Sequence, residues 1–132
     1  MGASKLNILV VDSDPGVRAR FLQRFVRSGF NAHEADTAAE AYRILGQHDL
    51  DTVVIDLESM GREALGLIRF ARERRRPAEV IVLTGPTTVS RAIEAMKLGV
   101  FDDLLVPVDL EALTQRIRAA ARFRSERLLK KR

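Results

Sequence analysis

The chain of 132 residues has no cysteine, no tryptophan, one tyrosine and four prolines. Without cysteine, neither a disulfide framework nor a thiolate metal site can form. No run of 18 apolar residues occurs, so no segment reads as a membrane-spanning helix. Met1 to Lys5 lead straight into a strand-like run, without the apolar stretch of a secretory leader. Together these absences predict a cytosolic address. Aromatic residues make up only 5% of the chain, too few for the stacking platforms that hold single-stranded nucleic acid.

What is present suits one α/β domain. Hydrophobic residues reach 46%, enough to fill a core at this length. The formal net charge is +4, and the excess is clustered. Arg72, Arg74, Arg75 and Arg76 form one group. Arg116, Arg118, Arg122, Arg124, Arg127, Lys130, Lys131 and Arg132 form another. Such clusters can grip phosphate backbones, so a basic nucleic-acid-binding module is one reading. A solvated helix face followed by a basic linker accounts for the same residues, and direct nucleic-acid binding is not expected.

Apolar runs and turn residues alternate along the chain. Leu6 to Val11 is nearly all apolar and ends at Asp12-Ser13-Asp14-Pro15, the pattern of a strand buried on both faces. Asp14 before Pro15 starts a helix as N-cap, and Gly29 stops it. Phe30 to Ala35 is a weaker strand. Thr37 caps a helix through Leu45, with Ala38, Ala41, Tyr42 and Leu45 inward. Thr52 to Ile55 is a β-branched strand ending at Asp56, followed by an amphipathic stretch from Glu63 to Arg74. Val80 to Leu83 is a buried strand ending at Thr84-Gly85-Pro86. Thr88 to Leu98 is a helix closed by Gly99. Asp103 to Val106 is the last strand, ending at Pro107, and Asp109 caps a long final helix. Five strands alternating with five helices require parallel pairing and right-handed crossovers, with helices on both faces.

In such a sheet the chemistry lies at the carboxyl ends of the strands, near the point where the strand order reverses. Asp12, Asp56, Thr84 and Val106-Pro107 fall there. Two carboxylates brought into one crevice repel each other, and a bound cation relieves that repulsion. Oxygen ligands of this kind suit Mg²⁺, which uses one or two carboxylates and keeps several waters. Taken singly, each aspartate also reads as the cap of the helix that follows it.

The runs Ile8-Leu9-Val10-Val11-Asp12, Val53-Val54-Ile55-Asp56-Leu57, Val80-Ile81-Val82-Leu83-Thr84-Gly85 and Ala92 to Gly99 resemble the receiver domain of two-component response regulators. The last of these is most like receivers of the NtrC type. The resemblance covers roughly Lys5 to Ala121. It implies a flavodoxin-like (βα)5 fold, a doubly wound five-stranded parallel sheet in the order 2-1-3-4-5. It implies that Asp56 is the phosphoacceptor in a phosphorelay and that Thr84 contacts the phosphoryl group and acts as the switch. It further implies Mg²⁺ held by Asp12, Asp56, the backbone carbonyl of Glu58 and the position of Ser13, and a cis bond before Pro107. A histidine kinase or phosphotransfer protein would be the donor, and an output domain or effector protein the recipient of the signal. A homodimer through the helix 4–strand 5–helix 5 face is a further implied partner. The chain would then be a signalling module and not an enzyme.

Several positions depart from that pattern. Ser13 stands where the family has a second acidic ligand, and a neutral hydroxyl is a poorer one, which weakens the Mg²⁺ site. Asp14 is close but serves as the helix cap. Val106 stands where the family has a lysine, and it can neither pair with a phosphoryl oxygen nor donate to one. Neither Lys97 nor the tail replaces it. Asp103 stands where the family has a switch aromatic, with Phe101 the nearest ring. The stretch after Asp56 reads Glu58-Ser59-Met60-Gly61 in place of the family's Met-Pro. Two readings follow: an acceptor with weakened metal binding and slower chemistry, or a phosphorylation-independent pseudo-receiver acting as a protein-interaction or dimerisation module. Retention of Asp12, Asp56 and Thr84 together favours the first.

A small flavin-binding protein of the same topology would need phosphate-cradling turns after the first strand, and Asp12-Ser13-Asp14 would repel a phosphate. No helix-turn-helix and no nucleotide-hydrolysing loop can be read in the chain. The division expected is residues 5–121 as the receiver-like domain and 122–132 as a basic helical extension, read as a linker, a dimer contact or a frayed tail.

Overall fold

Five parallel strands are aligned in the order β2-β1-β3-β4-β5 in the computed structural model, which describes residues 5–131. The strands are β1 (Asn7–Val11), β2 (Asn31–Ala35), β3 (Thr52–Asp56), β4 (Glu79–Thr84) and β5 (Asp102–Leu105). Most of the segment read as lacking a leader, Met1–Ser4, and Arg132 of the second basic cluster lie outside the described residues. The helices are α1 (Pro15–Arg27), α2 (Ala38–Gln47), α3 (Leu57–Met60), α4 (Glu63–Arg72), α5 (Val89–Lys97) and α6 (Leu110–Lys130). No described helix is long and apolar enough to cross a membrane.

The period of two along each strand divides the core. Ile8, Val10, Val54, Ile81 and Leu83 point to one face, covered by Phe21 and Phe25 of α1 and by Leu113, Ile117 and Ala120 of α6. Leu9, Val11, Val53, Ile55, Val80 and Val82 point to the other, covered by α2, α3, α4 and α5. With helices on both faces, β1, β3 and β4 need apolar residues at every position, which is why they read as unbroken runs. The caps follow the sequence. Asp14 accepts from the backbone N–H of Gly16 and Val17, Thr37 from Glu40, and Asp109 from Ala112.

Other expectations are corrected. The amphipathic stretch from Glu63 is helix α4, which ends at Arg72, two residues before the expected Arg74, and a short α3 that the pattern did not show precedes it, set off by Gly61, whose φ of 63° lies in the left-handed region. In α2, Ile44 is buried where Tyr42 was expected, and Tyr42 stands at the rim against Phe70, ring centroids 5.1 Å apart. A phenol keeps its hydroxyl wet there, while the smaller aliphatic residue fills the core. The last strand is Asp102–Leu105, one residue earlier than the pattern suggested.

α6 runs unbroken through the expected division at residue 121, and its last turns are tied to the segments that lead into β3 and β4. The Arg124 side chain is inserted there. Its Nε donates to the Pro77 carbonyl at 2.8 Å, and Nη2 lies 2.6 Å from Asp49. Arg127 and Arg72 both pair with the buried Glu79, at 2.8 and 3.2 Å. Part of each basic cluster is therefore spent on acidic partners within the domain.

At the sheet's β2 edge, His33 packs against His48 with the rings tilted, centroids 4.6 Å apart. Partial burial, and secondarily the charge of His48, lowers the pKa of His33 below 6.5. Well above pH 6.5 the ring is neutral in both folded and unfolded chains. As the pH falls below 6.5 the unfolded chain takes up the proton first, so stability declines toward the folded value. Urea midpoints measured from pH 7.5 to 5 are expected to fall for the parent and to fall less for His33→Gln.

Candidate functional site

Asp12 follows Val10 in the pleat, and Asp56 follows Val54, so both carboxylates leave the sheet on the α1/α6 side. There they line a cleft of about 840 Å³ together with Ser13, Asp14, Glu58, Ser59 and Val106, over an apolar floor of Val17, Phe21, Leu83 and Leu110. The cleft lies between the start of α1, the turn after β3 and the segment after β5. The Val106–Pro107 bond beside it is cis.

Asp12 is 2% exposed. One oxygen accepts from the Asp14 N–H at 2.9 Å, and Arg18 donates to the Asp12 carbonyl at 2.8 Å. Burial raises the Asp12 pKa above 3.8, the charge of Asp56 raises it further, and the bonds from Asp14 and Ser59 oppose the rise. Asp56 is half-buried and accepts from the Ser59 N–H at 3.2 Å, capping α3. Ser59 also accepts from the Ser13 N–H at 3.1 Å, so it joins the loops that carry the two aspartates. Sequence reasoning registered Ser59 only as a missing Met-Pro, because a contact spanning 46 residues leaves no local signal.

Thr84 stands at the end of β4 but does not line the cleft. Its Oγ1 lies 2.8 Å from that of Thr88, both buried. Thr88 Oγ1 accepts from the Gly85 N–H at 2.9 Å and lies 3.2 Å from the Gly85 carbonyl. Among the described residues Thr88 is the only partner of the Thr84 hydroxyl. The arrangement that satisfies every group has Thr84 donating to Thr88 and Thr88 donating to Gly85. Thr88 is thus bonded within the turn before α5 and does not cap that helix.

Val106 closes the cleft with apolar surface. Its N–H donates to the Thr84 carbonyl at 2.9 Å, and its Cγ2 would lie 3.4 Å from a Cβ built on Gly85. Asp103 is exposed on β5. Phe101, the ring that sequence reasoning put forward in its place, belongs to the opposite face. It packs with Phe123, centroids 5.7 Å apart, under the Arg116 guanidinium. Its N–H donates to the Val80 carbonyl at 2.7 Å just ahead of the first register pair of β5, and its ring lies on the side of Leu104.

Among the described residues no three Asp, Glu, His or Cys side chains converge into a metal-holding group. Asp12 and Asp56 on one face, with a main-chain carbonyl after Asp56, fit a cation that keeps most of its waters, which is the habit of Mg²⁺.

Comparison with known proteins identifies the family and the fold. The family model of the response regulator receiver domain matches residues 8–118. The transcriptional regulatory protein GlrR of Escherichia coli (strain K12) is 31% identical over 117 residues, covering 89% of this chain and 26% of GlrR. The response regulator protein PilR of Pseudomonas aeruginosa is 28% identical over 122 residues, covering 92% of this chain and 27% of PilR. The chain thus spans about a quarter of the length of these relatives. The crystal structure of full-length FixJ from B. japonicum superposes with a TM-score of 0.82 at 29% identity, over 92% of this chain and 60% of that one. A CheY-like receiver domain protein from Methanospirillum hungatei gives a TM-score of 0.86 at 20% identity, over 94% and 99%, a likeness of fold.

Proposed function

The chain belongs to the response regulator receiver domain family of two-component signal transduction, and on that premise we propose that Asp56 accepts a phosphoryl group and thereby switches a protein-binding surface. The observation that carries this reading is the common orientation of Asp56 and Asp12 into one cleft, with Asp56 at its open, half-buried edge. A carboxylate oxygen of Asp56 attacks phosphorus. The new O–P bond forms as the P–N bond to the donor histidine breaks, and the leaving imidazole takes up a proton. Asp12, Asp56 and the Glu58 carbonyl would hold Mg²⁺, which supplies neutralisation of the phosphoryl oxygens. Ser13 adds no charge to that set, so metal affinity is weakened relative to a three-carboxylate site. The N–H of Ser59 fixes the acceptor's position. Thr84 then exchanges its bond to Thr88 for one to a phosphoryl oxygen, and the turn at Pro86–Thr88 moves with it.

The donor is a histidine kinase or phosphotransfer protein, and the site of action is the cytoplasm. The signal leaves through α5, β5 and α6. Val89, Ile93 and Met96 stand exposed along one stripe of α5, and Leu105 on β5 is 73% exposed. An apolar stripe of that kind suits a second copy of the chain, an output domain or an effector. The relatives named as transcriptional regulators point to an output that acts on transcription.

The reading is tested by thermal unfolding with Mg²⁺ and fluoroberyllate, a phosphoryl mimic. The parent is expected to gain stability when fluoroberyllate is added in the presence of Mg²⁺, beyond what Mg²⁺ alone gives, and Asp56→Asn to gain none from fluoroberyllate. No gain in the parent at saturating Mg²⁺ would contradict phosphoacceptance and support constitutive action through protein contacts.

A further inference from the structure

We propose that Arg20 supplies to the phosphoryl group on Asp56 the cationic contact that Val106 cannot make. This rests on phosphorylation of Asp56. Four carboxylates line the cleft, those of Asp12, Asp14, Asp56 and Glu58, and the only cationic side chain lining it is that of Arg20. The other nearby arginines are committed elsewhere. Arg18 pairs with Glu34 at 2.7 Å and donates to the Asp12 carbonyl, and Arg91 donates to the Leu57 carbonyl at 3.2 Å. Arg20 is exposed and has no ion pair among the described residues.

Helix geometry aims Arg20 at the site. Long side chains on a helix lean back toward its N-terminus. The N-terminus of α1 is at Asp14 and Pro15, beside Asp12. Arg20 sits six positions after Asp14, roughly 9 Å down the helix axis, so a leaning arginine returns most of that distance. A phosphoryl group adds a charge of about −1.5 to −2 and three strong acceptors. A guanidinium can take two of those oxygens with its planar fork, and it remains charged at every working pH. With the far wall apolar at Val106, the cation approaches from the α1 side of the cleft and not from the segment after β5.

The measurement is fluoroberyllate affinity in saturating Mg²⁺. Arg20→Gln is expected to weaken it about three- to tenfold, as for loss of one solvent-edge charged contact. Arg20→Lys is expected to fall between the parent and Arg20→Gln, since the charge is kept but the two-pronged fork is lost. Adding Val106→Lys to Arg20→Gln is expected to restore the affinity. The urea midpoint of Arg20→Gln should match that of the parent, because the side chain is exposed. A parent that binds fluoroberyllate while Arg20→Gln binds it equally well overturns this role and leaves phosphoacceptance standing. A parent that binds none overturns phosphoacceptance itself.

Discussion

Val106→Lys is expected to speed phosphorylation of Asp56 by about ten- to a hundredfold. A charge-assisted hydrogen bond is worth roughly 1.5–3 kcal/mol, and each 1.36 kcal/mol off a barrier is about tenfold in rate. Position 106 is suited to deliver that bond. It lines the same cleft as Asp56, and its backbone is held by its N–H to the Thr84 carbonyl at 2.9 Å. The side chain at 106 is only half-buried, so an ammonium there keeps some water while it approaches the acceptor. Four carboxylates around the cleft would attract it and partly occupy it in the resting state, which sets the lower end of the range. The rate of adduct formation with a small phosphodonor, followed by intact mass, gives the answer. An unchanged rate would mean that positive charge at the wall is not what limits the chemistry.

Arg124→Ala is expected to destabilise the fold by about 3 kcal/mol, more than any substitution in the cleft. Arg124 is 2% exposed, and its guanidinium meets four partners: Asp49 at 2.6 Å, Asp51 at 3.2 Å, the Pro77 carbonyl at 2.8 Å and the Arg76 carbonyl at 3.1 Å. Removing one member of a buried ion pair costs about 3–5 kcal/mol, because the remaining groups lose their compensation. The side chains of Asp49 and Asp51 are 53% and 22% exposed. Water can therefore recover part of their loss, which holds the cost at the low end. Arg76 pairs with the same Asp49 at 3.3 Å, but its own side chain is 57% exposed, so Arg76→Ala should change stability by less than about 1 kcal/mol. Urea denaturation of the two variants separates the cases. Equal midpoints would mean that the tail of α6 is not anchored through Arg124.

That anchor also shows how far sequence could be read. Strands β1, β3 and β4 were legible because burial on both faces leaves uninterrupted apolar runs. The caps at Asp14, Thr37 and Asp109 were legible because an N-cap acts within three residues. Asp12 and Asp56 were legible as a pair because the pleat and the topology carry both strand ends to one edge of the sheet. Contacts that depend on how distant segments meet left no such trace. Arg124 reads as one basic residue among many until Asp49 and Asp51 are found beneath it, 75 and 73 residues earlier in the chain. Arg20 reads as a surface charge on α1 until the cleft beside it is seen. The bond from Thr84 to Thr88 depends on the turn at Pro86–Thr88, which brings two hydroxyls together four residues apart. Phe101 could stand in for Asp103 only on a strand that begins early, and β5 begins at Asp102.

The central claim is that Asp56 is a working phosphoacceptor despite Ser13 and Val106. The most direct test is intact mass after incubation with acetyl phosphate and Mg²⁺, with Asp56→Asn alongside. A single phosphoryl adduct on the parent, absent from Asp56→Asn, is the expected result. A parent that stays unmodified at high Mg²⁺, or an adduct that persists in Asp56→Asn, would contradict it.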